Sequence, residues 1–298
     1  MAGVCLKSAI QKPTIPKAIN LLKQRIITAV SLAVPLLLLL VYLAPVPLMM
    51  LFAVIVLGSA WEWAALSGYS APGVRALYTL FVAGLMALLF MFGNLLDVAP
   101  NTALIREVLH AAALWWAVAL LWVMGYPGSA RLWGNKPVRV VMGILVLVPT
   151  WLALCYLRLH GQGVLLIIYV LLVVIAADVG AYFAGRAWGK SKLAVNVSPG
   201  KTWAGFWGGL AASQALALLA AQCWPGGLPI ALLPFMVLSG VASLASVLGD
   251  LLESMVKRHQ GVKDSGTLLP GHGGLMDRLD SITAAIPAFT LGTLLVGW

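Results

Sequence analysis

Charge is what this 298-residue sequence has least of: 9% of its residues are Asp, Glu, Lys or Arg, against 62% hydrophobic, and the mean hydropathy is +0.99. A soluble domain carries about a quarter charged residues to clothe its surface, so a soluble fold is excluded and an integral membrane protein is expected. Cysteine is nearly absent as well. Cys5, Cys155 and Cys223 show no C-x-x-C and no ligand spacing, which excludes a disulfide framework and a zinc site, and the four histidines are equally scattered. Carboxylates number nine against 19 lysines and arginines, a net charge of +10. No long polar segment gathers those cations into a solvated domain, so nucleic acid is not the partner.

What is present instead is a series of apolar runs. A helix that crosses a bilayer needs about 20 mostly apolar residues. Nine such spans can be laid along the chain, at 27–43, 46–63, 76–92, 108–125, 140–157, 163–183, 203–222, 230–250 and 279–298. The predicted fold is therefore all-α: a polytopic integral membrane bundle of about nine transmembrane helices, one domain over 26–298, preceded by a basic segment at 1–25. The first span lacks a small-residue cleavage site and further spans follow it directly, so it is read as a span and not as a signal peptide. Alternating the spans puts 17 of the 19 basic residues on the side of the N-terminus, with Arg106 and Arg158 alone opposite. Positive loops stay in the cytoplasm, so the N-terminus is expected there.

The carboxylates fall on that same side. Asp178 sits near the inner end of the sixth span, Asp250 at that of the eighth, and Asp277 and Asp280 at the mouth of the ninth. A carboxylate within a span costs about 2.5–3.5 kcal/mol on insertion scales, and such residues usually face a polar cavity. Asp277 and Asp280, three apart, share a face if helical. Hard oxygen ligands of this kind suit Mg²⁺, which is held by one or two carboxylates together with substrate phosphates. Lys201, Lys257, Arg258, Lys263 and Arg278 are interleaved with them. A bare cation site would not want those positive charges, whereas a phosphate bound through metal takes both signs.

Two glycine-bearing tracts point the same way. In "PGHGG" Gly271, Gly273 and Gly274 surround His272, and such a backbone either turns its N–H groups toward an anion or simply turns. In "SPGKTW" Lys201 and Thr202 stand at the start of a span, where a helix N-terminus offers an anion site. It is not a P-loop, because Val195 occupies the position of the first glycine.

The stretch "SMVKRHQGVKDSGTLLPGHGGLMDRLDS", 254–281, resembles the signature of the bacterial phosphatidate cytidylyltransferases, also called CDP-diglyceride synthases. Ser254, Lys257, Arg258, Lys263, Asp264, Gly266, Pro270, Gly271, His272, Gly273, Gly274, Asp277, Arg278 and Asp280 carry the match. "ADVGAYFAGRAWGK", "SPGKTWAGFWGG" and "SVLGDLLES" resemble its other polar blocks, and "WEW" (61–63) recurs at its second span, with the role of Glu62 left open. Ala204 departs from the Glu or Gln that many relatives carry. The resemblance is sharp over 177–281, the expected catalytic part.

It implies transfer of CMP from CTP to phosphatidate, giving CDP-diacylglycerol and pyrophosphate, with Mg²⁺ and room for a second cation. Asp250 and Asp277 would be metal ligands with Asp280 assisting. Lys201, Lys257, Arg258, Lys263 and Arg278 would cradle phosphates, with Ser198, Thr202, Gly273 and Gly274 at the substrate. His272 either donates to a phosphate or braces the loop. Asp264 binds the nucleotide sugar or pairs locally, and Asp178 supports the metal or pairs with Arg186. Glu253, four before Lys257, reads as a helix ion pair, and Trp203 and Trp207 as interface anchors or cytosine stackers. The phosphate monoester is already largely a dianion at neutral pH, so its in-line attack on the α-phosphorus needs no general base. Repulsion between two polyanions is the obstacle, which a metal pair and cations would relieve.

The expected partners are CTP, phosphatidate and the bilayer, with no nucleic acid; a homodimer is compatible with the sequence without being specified by it. The expected location is the bacterial inner membrane, with the site facing the cytoplasm. Two rivals remain at this stage. An ion-coupled transporter would place its carboxylates near the midplane on broken helices, and a CTP-using polyprenol kinase would differ in the phosphorus attacked.

Overall fold

The computed structural model describes residues 34–97, 99–268 and 273–298. Residues 34–42 are helical, with Leu37 and Tyr42 exposed. The remainder, from Ala44 onward, is a compact helical unit. Its long helices are α1 (Pro45–Leu66), α2 (Pro72–Phe92), α3 (Thr102–Met124), α4 (Lys136–Leu159), α5 (Gly163–Trp188), α6 (Trp203–Cys223), α7 (Leu232–Gln260) and α8 (Asp280–Val296), with a single helical turn, Ala130–Trp133, before α4.

The all-α expectation holds, and the first seven of these helices are long and apolar enough to cross a membrane, while α8 is shorter. The count of nine is not reached among the described residues, because the span expected at 27–43 and the basic segment 1–25 lie largely or wholly outside them. One element was not expected. A two-stranded antiparallel hairpin, β1 (Lys192–Ala194) and β2 (Ser198–Thr202), joins α5 to α6.

Local chemistry sets the helix starts. Prolines open α1, α2 and α4, where a missing N–H costs nothing. Asn101, Asn135 and Thr202 cap α3, α4 and α6 by accepting from the N–H of Leu104, Val138 and Gly205 at 3.1, 2.9 and 3.1 Å. Beyond Asp250, where the eighth span was expected to end, α7 continues to Gln260. It stops at left-handed Gly261, whose N–H and that of Val262 close back on Arg258 and Lys257.

Exposed Leu77, Leu80, Leu121 and Leu219 face outward, as lipid-facing positions do, while Trp63, Phe235, Phe289 and Leu152 are fully buried between helices. Pro287 cannot donate to the Thr283 carbonyl one turn earlier in α8. Thr150 Oγ1 of α4 supplies the missing bond at 2.9 Å and fixes α8 against α4.

Small residues let α5 and α6 approach closely, as in membrane helix pairs generally. A Cβ on Gly180 would stand 2.6 Å from the Gly208 carbonyl, and one on Gly209 2.6 Å from that of Ala177. Gly180→Leu is therefore expected to force the pair apart at a cost of about 1–3 kcal/mol. The readout is a lowered thermal midpoint in detergent, and an unchanged midpoint would show that the contact is not a packing constraint.

Candidate active site

Helices α1, α5 and α7 end, and α4, α6 and α8 begin, at one end of the bundle. Cross-contacts tie these ends together. Lys201 of β2 reaches Asp250 of α7 at 2.7 Å, and Arg258 Nε of α7 donates to the Val197 carbonyl in the hairpin turn at 3.4 Å. His259 of α7 lies 3.2 Å from the Gly134 carbonyl, just before α4. Gly249 packs so tightly on the Asp280 carbonyl that no Cβ fits between them, which puts Asp250 beside the first turn of α8.

The central ion pairs run along α7. Lys257 Nζ lies 3.2 Å from Glu253, one turn earlier, and 2.7 Å from Asp277 Oδ1. The expected Glu253–Lys257 helix pair is present, yet it is no surface pair, since Glu253 is 1% exposed. Asp250 also accepts from Ser254 Oγ at 3.1 Å. It lies within electrostatic range of Asp178 and Asp280, and Asp280 within range of Glu253.

Asp277 sits in a single 3-10 turn, Met276–Arg278, ahead of α8. Its carboxylate is clasped by the loop: Ser265 N–H donates to Oδ2 at 2.9 Å and Oδ1 at 3.1 Å, and Gly274 N–H to Oδ2 at 2.7 Å. Partial burial pushes this carboxyl upward, but the Lys257 ammonium and the two backbone N–H groups outweigh that and hold it below the usual carboxylate range. Gly273 has φ +83°, and a Cβ there would meet Asp277 Oδ2 at 2.8 Å, so glycine is required on both counts.

The expected residues separate into groups. Asp250, Asp280, Lys201 and Lys257 come together with Asp277. Thr202 is buried with its hydroxyl engaged in the α6 cap, and Gly274 directs its N–H at Asp277. Ser198 opens β2 three residues before Lys201. Arg258, Lys263 and Asp264 are exposed at the rim, and Arg278 is exposed in the 3-10 turn. His272 lies outside the described residues. Arg186 donates to Tyr182 Oη at 3.1 Å, and no ion pair joins it to Asp178 among the described residues. Trp203 and Trp207 are exposed, 45% and 59%, on α6.

Sequence reasoning left Glu62 without a role and did not single out Ser265. The signal was a carboxylate inside an apolar span, a costly placement that asks for a partner.

Beside the ion pairs lies a cavity of about 390 Å³ between α5, α6, α7 and the hairpin, lined by Asp178, Arg186, Lys201, Thr202, Ser243 and Leu244. It shares Leu193, Phe206, Leu244 and Val247 with an apolar cavity of about 510 Å³ that continues past Trp203 and Leu251. Both are walled mainly by apolar side chains, and Asp178, Arg186 and Lys201 bring charge to the first.

Asp250, Glu253, Asp277 and Asp280 set four carboxylates against the ammonium groups of Lys201 and Lys257. The donor set is hard oxygen, the chemistry that suits a divalent cation, but among the described residues no three of these side chains are placed to hold one as they stand.

The cytidylyltransferase family pattern matches residues 23–295 of the chain. A phosphatidate cytidylyltransferase of Pseudomonas aeruginosa is 45% identical over 280 residues, covering 93% of this chain and 99% of that protein. One of Haemophilus influenzae is 38% identical over 282 residues, 91% of this chain and 98% of that protein. One of Bacillus subtilis is 39% identical over 155 residues, 49% of this chain and 56% of that protein.

Proposed function

The chain belongs to the cytidylyltransferase family, and from that premise we propose that the carboxylate and lysine cluster at the ends of α5 to α8 is where CMP passes from CTP to phosphatidate. The protein is a multi-pass membrane nucleotidyltransferase, a CTP:phosphatidate cytidylyltransferase of phospholipid synthesis. The observation that carries the placement is the double ion pairing of Lys201 with Asp250 and Lys257 with Asp277, each at 2.7 Å.

Those two lysines are the anion-binding groups. Each can exchange a carboxylate for a phosphate oxygen, since both partners accept the same charge-assisted hydrogen bond. Arg258, Lys263 and Arg278 at the rim add positive charge where CTP arrives, which counters repulsion between the two anionic substrates. Asp250, Asp277 and Asp280 would hold Mg²⁺, with Glu253 buried among them. When bound, the metal would withdraw charge from the phosphates of the triphosphate. The protein residues have the remaining tasks of binding, orienting and neutralising. No side chain needs to remove a proton from the attacking phosphate, whose second pKa is near 6.

Phosphatidate suits the paired cavities, with its phosphate at Lys201, where the charged side chains stand, and its acyl chains in the second cavity toward Trp203 and Leu251. The site faces the cytoplasm of the bacterial inner membrane in this reading, because CTP is a cytosolic solute and the basic residues gather on that side.

Incubating the purified protein with phosphatidate, Mg²⁺ and CTP labelled on the α-phosphorus tests the reaction. Label is expected in the lipid fraction with one pyrophosphate released per CMP transferred. Label left in the aqueous phase, or a phosphorylated lipid with free CDP, would overturn the assignment.

A further inference from the structure

Glu62 is a carboxylate that the transfer reaction as described leaves unused, and it is among the most buried in the protein. It lies in α1, more than 200 residues from the signature loop, at 1% exposure. Its Oε2 accepts from Ser265 Oγ at 3.0 Å and from Met276 N–H at 2.8 Å. These two donors sit on opposite arms of the loop between α7 and α8. Ser265 is also the residue whose N–H binds Asp277, and Met276 directly precedes Asp277.

One carboxylate thus grips both arms at the points where they hold Asp277. Gly266 and Gly274 pack against its two oxygens so closely that neither position has room for a Cβ. One turn earlier on α1, Gly58 accommodates Leu275 of the same loop, where a Cβ would meet Leu275 Cδ2 at 2.9 Å.

The flanking tryptophans fix the grip. Trp63 is fully buried and donates Nε1 to the Arg139 carbonyl of α4 at 2.8 Å. Trp61 has the Arg75 guanidinium 4.3 Å above its ring and gives its carbonyl to Arg75 Nε at 3.1 Å. "WEW" is therefore a bracket in which both neighbours of Glu62 are locked to other helices. The remaining oxygen, Oε1, is buried without a hydrogen-bond partner among the described residues. An imperfectly satisfied buried carboxylate is costly to keep, and a purely structural core would be better served by an apolar residue.

We propose that Glu62 is the positioning residue of the active-site loop, setting Asp277 against Lys257 by clamping Ser265 and Met276 to α1. Glu62 reaches Asp277 only through these two residues and acts on its placement. The proposal rests on the transferase reading for its effect on turnover, but not for its effect on the loop.

The test uses the full chain in detergent with Glu62→Ala, Ser265→Ala and their double variant, and Glu62→Gln as the conservative control. Hydrogen exchange without substrate is followed in peptides covering 262–268 and 273–279. Glu62→Ala removes the Oε2 acceptor on which both donors converge, so loop exchange is expected to rise by about tenfold or more, with peptides of α1 and α4 unchanged, while Glu62→Gln, which keeps one oxygen for both donors, should stay nearer wild type. A loss of about 100-fold in kcat is expected for Glu62→Ala, as for an ångström-scale misplacement, with KM for CTP within about twofold. Ser265→Ala should lose less, and the double variant little more than Glu62→Ala alone.

Unchanged loop exchange, exchange raised through α1 and α4 as well, retained kcat, or fully multiplicative losses would each overturn the proposal. If wild-type protein transfers no CMP, the transferase reading fails by itself, and the exchange arm still decides whether Glu62 holds the loop.

Discussion

Asp277→Asn is expected to lower CMP transfer into lipid by about 10³-fold, the scale of losing a central electrostatic group in a preorganised site. The carboxylate takes all its bonds from donors: Lys257 Nζ and Ser265 N–H at Oδ1, Ser265 and Gly274 N–H at Oδ2. Asparagine places an NH₂ against at least one of those donors, so a buried donor faces a donor. Its neutrality also leaves Lys257 with Glu253 as its one ion pair among the described residues, with Asp280 acting from further off. Both losses fall on the loop and on any cation held there, and not on the bundle core. Helix content in detergent should therefore persist, and circular dichroism beside the labelled-CTP assay checks this. Activity within tenfold of wild type would remove Asp277 from the essential set.

Lys201→Met is expected to cost about 10²–10³-fold in kcat/KM, with much of the loss in the KM for substrate phosphate. Methionine keeps most of the apolar stem but removes the ammonium that lies 2.7 Å from Asp250 and lines the cavity. Asp250 is then left facing Asp178 and Asp280 without its counter-charge. Lys201→Arg should recover part of the loss, because charge is restored while the compact point contact is not. Steady-state kinetics over CTP and phosphatidate concentration separate the two cases. Equal activity in Lys201→Met and wild type would show that the ion pair serves only the hairpin.

The bundle was legible in the sequence because membrane spans are a one-dimensional property: length and apolarity suffice, and α1 to α7 lie where the apolar runs lie. The end of α7 was legible only in part, since hydropathy ends the span at Asp250 while the Glu253–Lys257 spacing reads as helix. There the polarity belongs to the site, and Glu253, Lys257 and Arg258 are helical residues. The hairpin was missed because strands of three and five residues carry no periodic signal.

The meeting of Asp250, Lys257, Asp277 and Asp280 could be anticipated from alternating helix direction. Which cation meets which anion could not, because Lys201 and Asp250 are joined only by tertiary packing. The partners of Glu62 were least legible of all, with a carboxylate in α1 and two donors on the far side of the sequence.

The unbroken course of α7 from Asp250 to Gln260 also gives the site a fixed pitch. Asp250 and Lys257, one heptad apart, are separated by about 10.5 Å along the axis and point within about 20° of the same direction. No loop rearrangement can stretch that interval. The two charges act as marks on a rigid ruler, and the ion pairs with Lys201 and Asp277 are spaced by the helix itself.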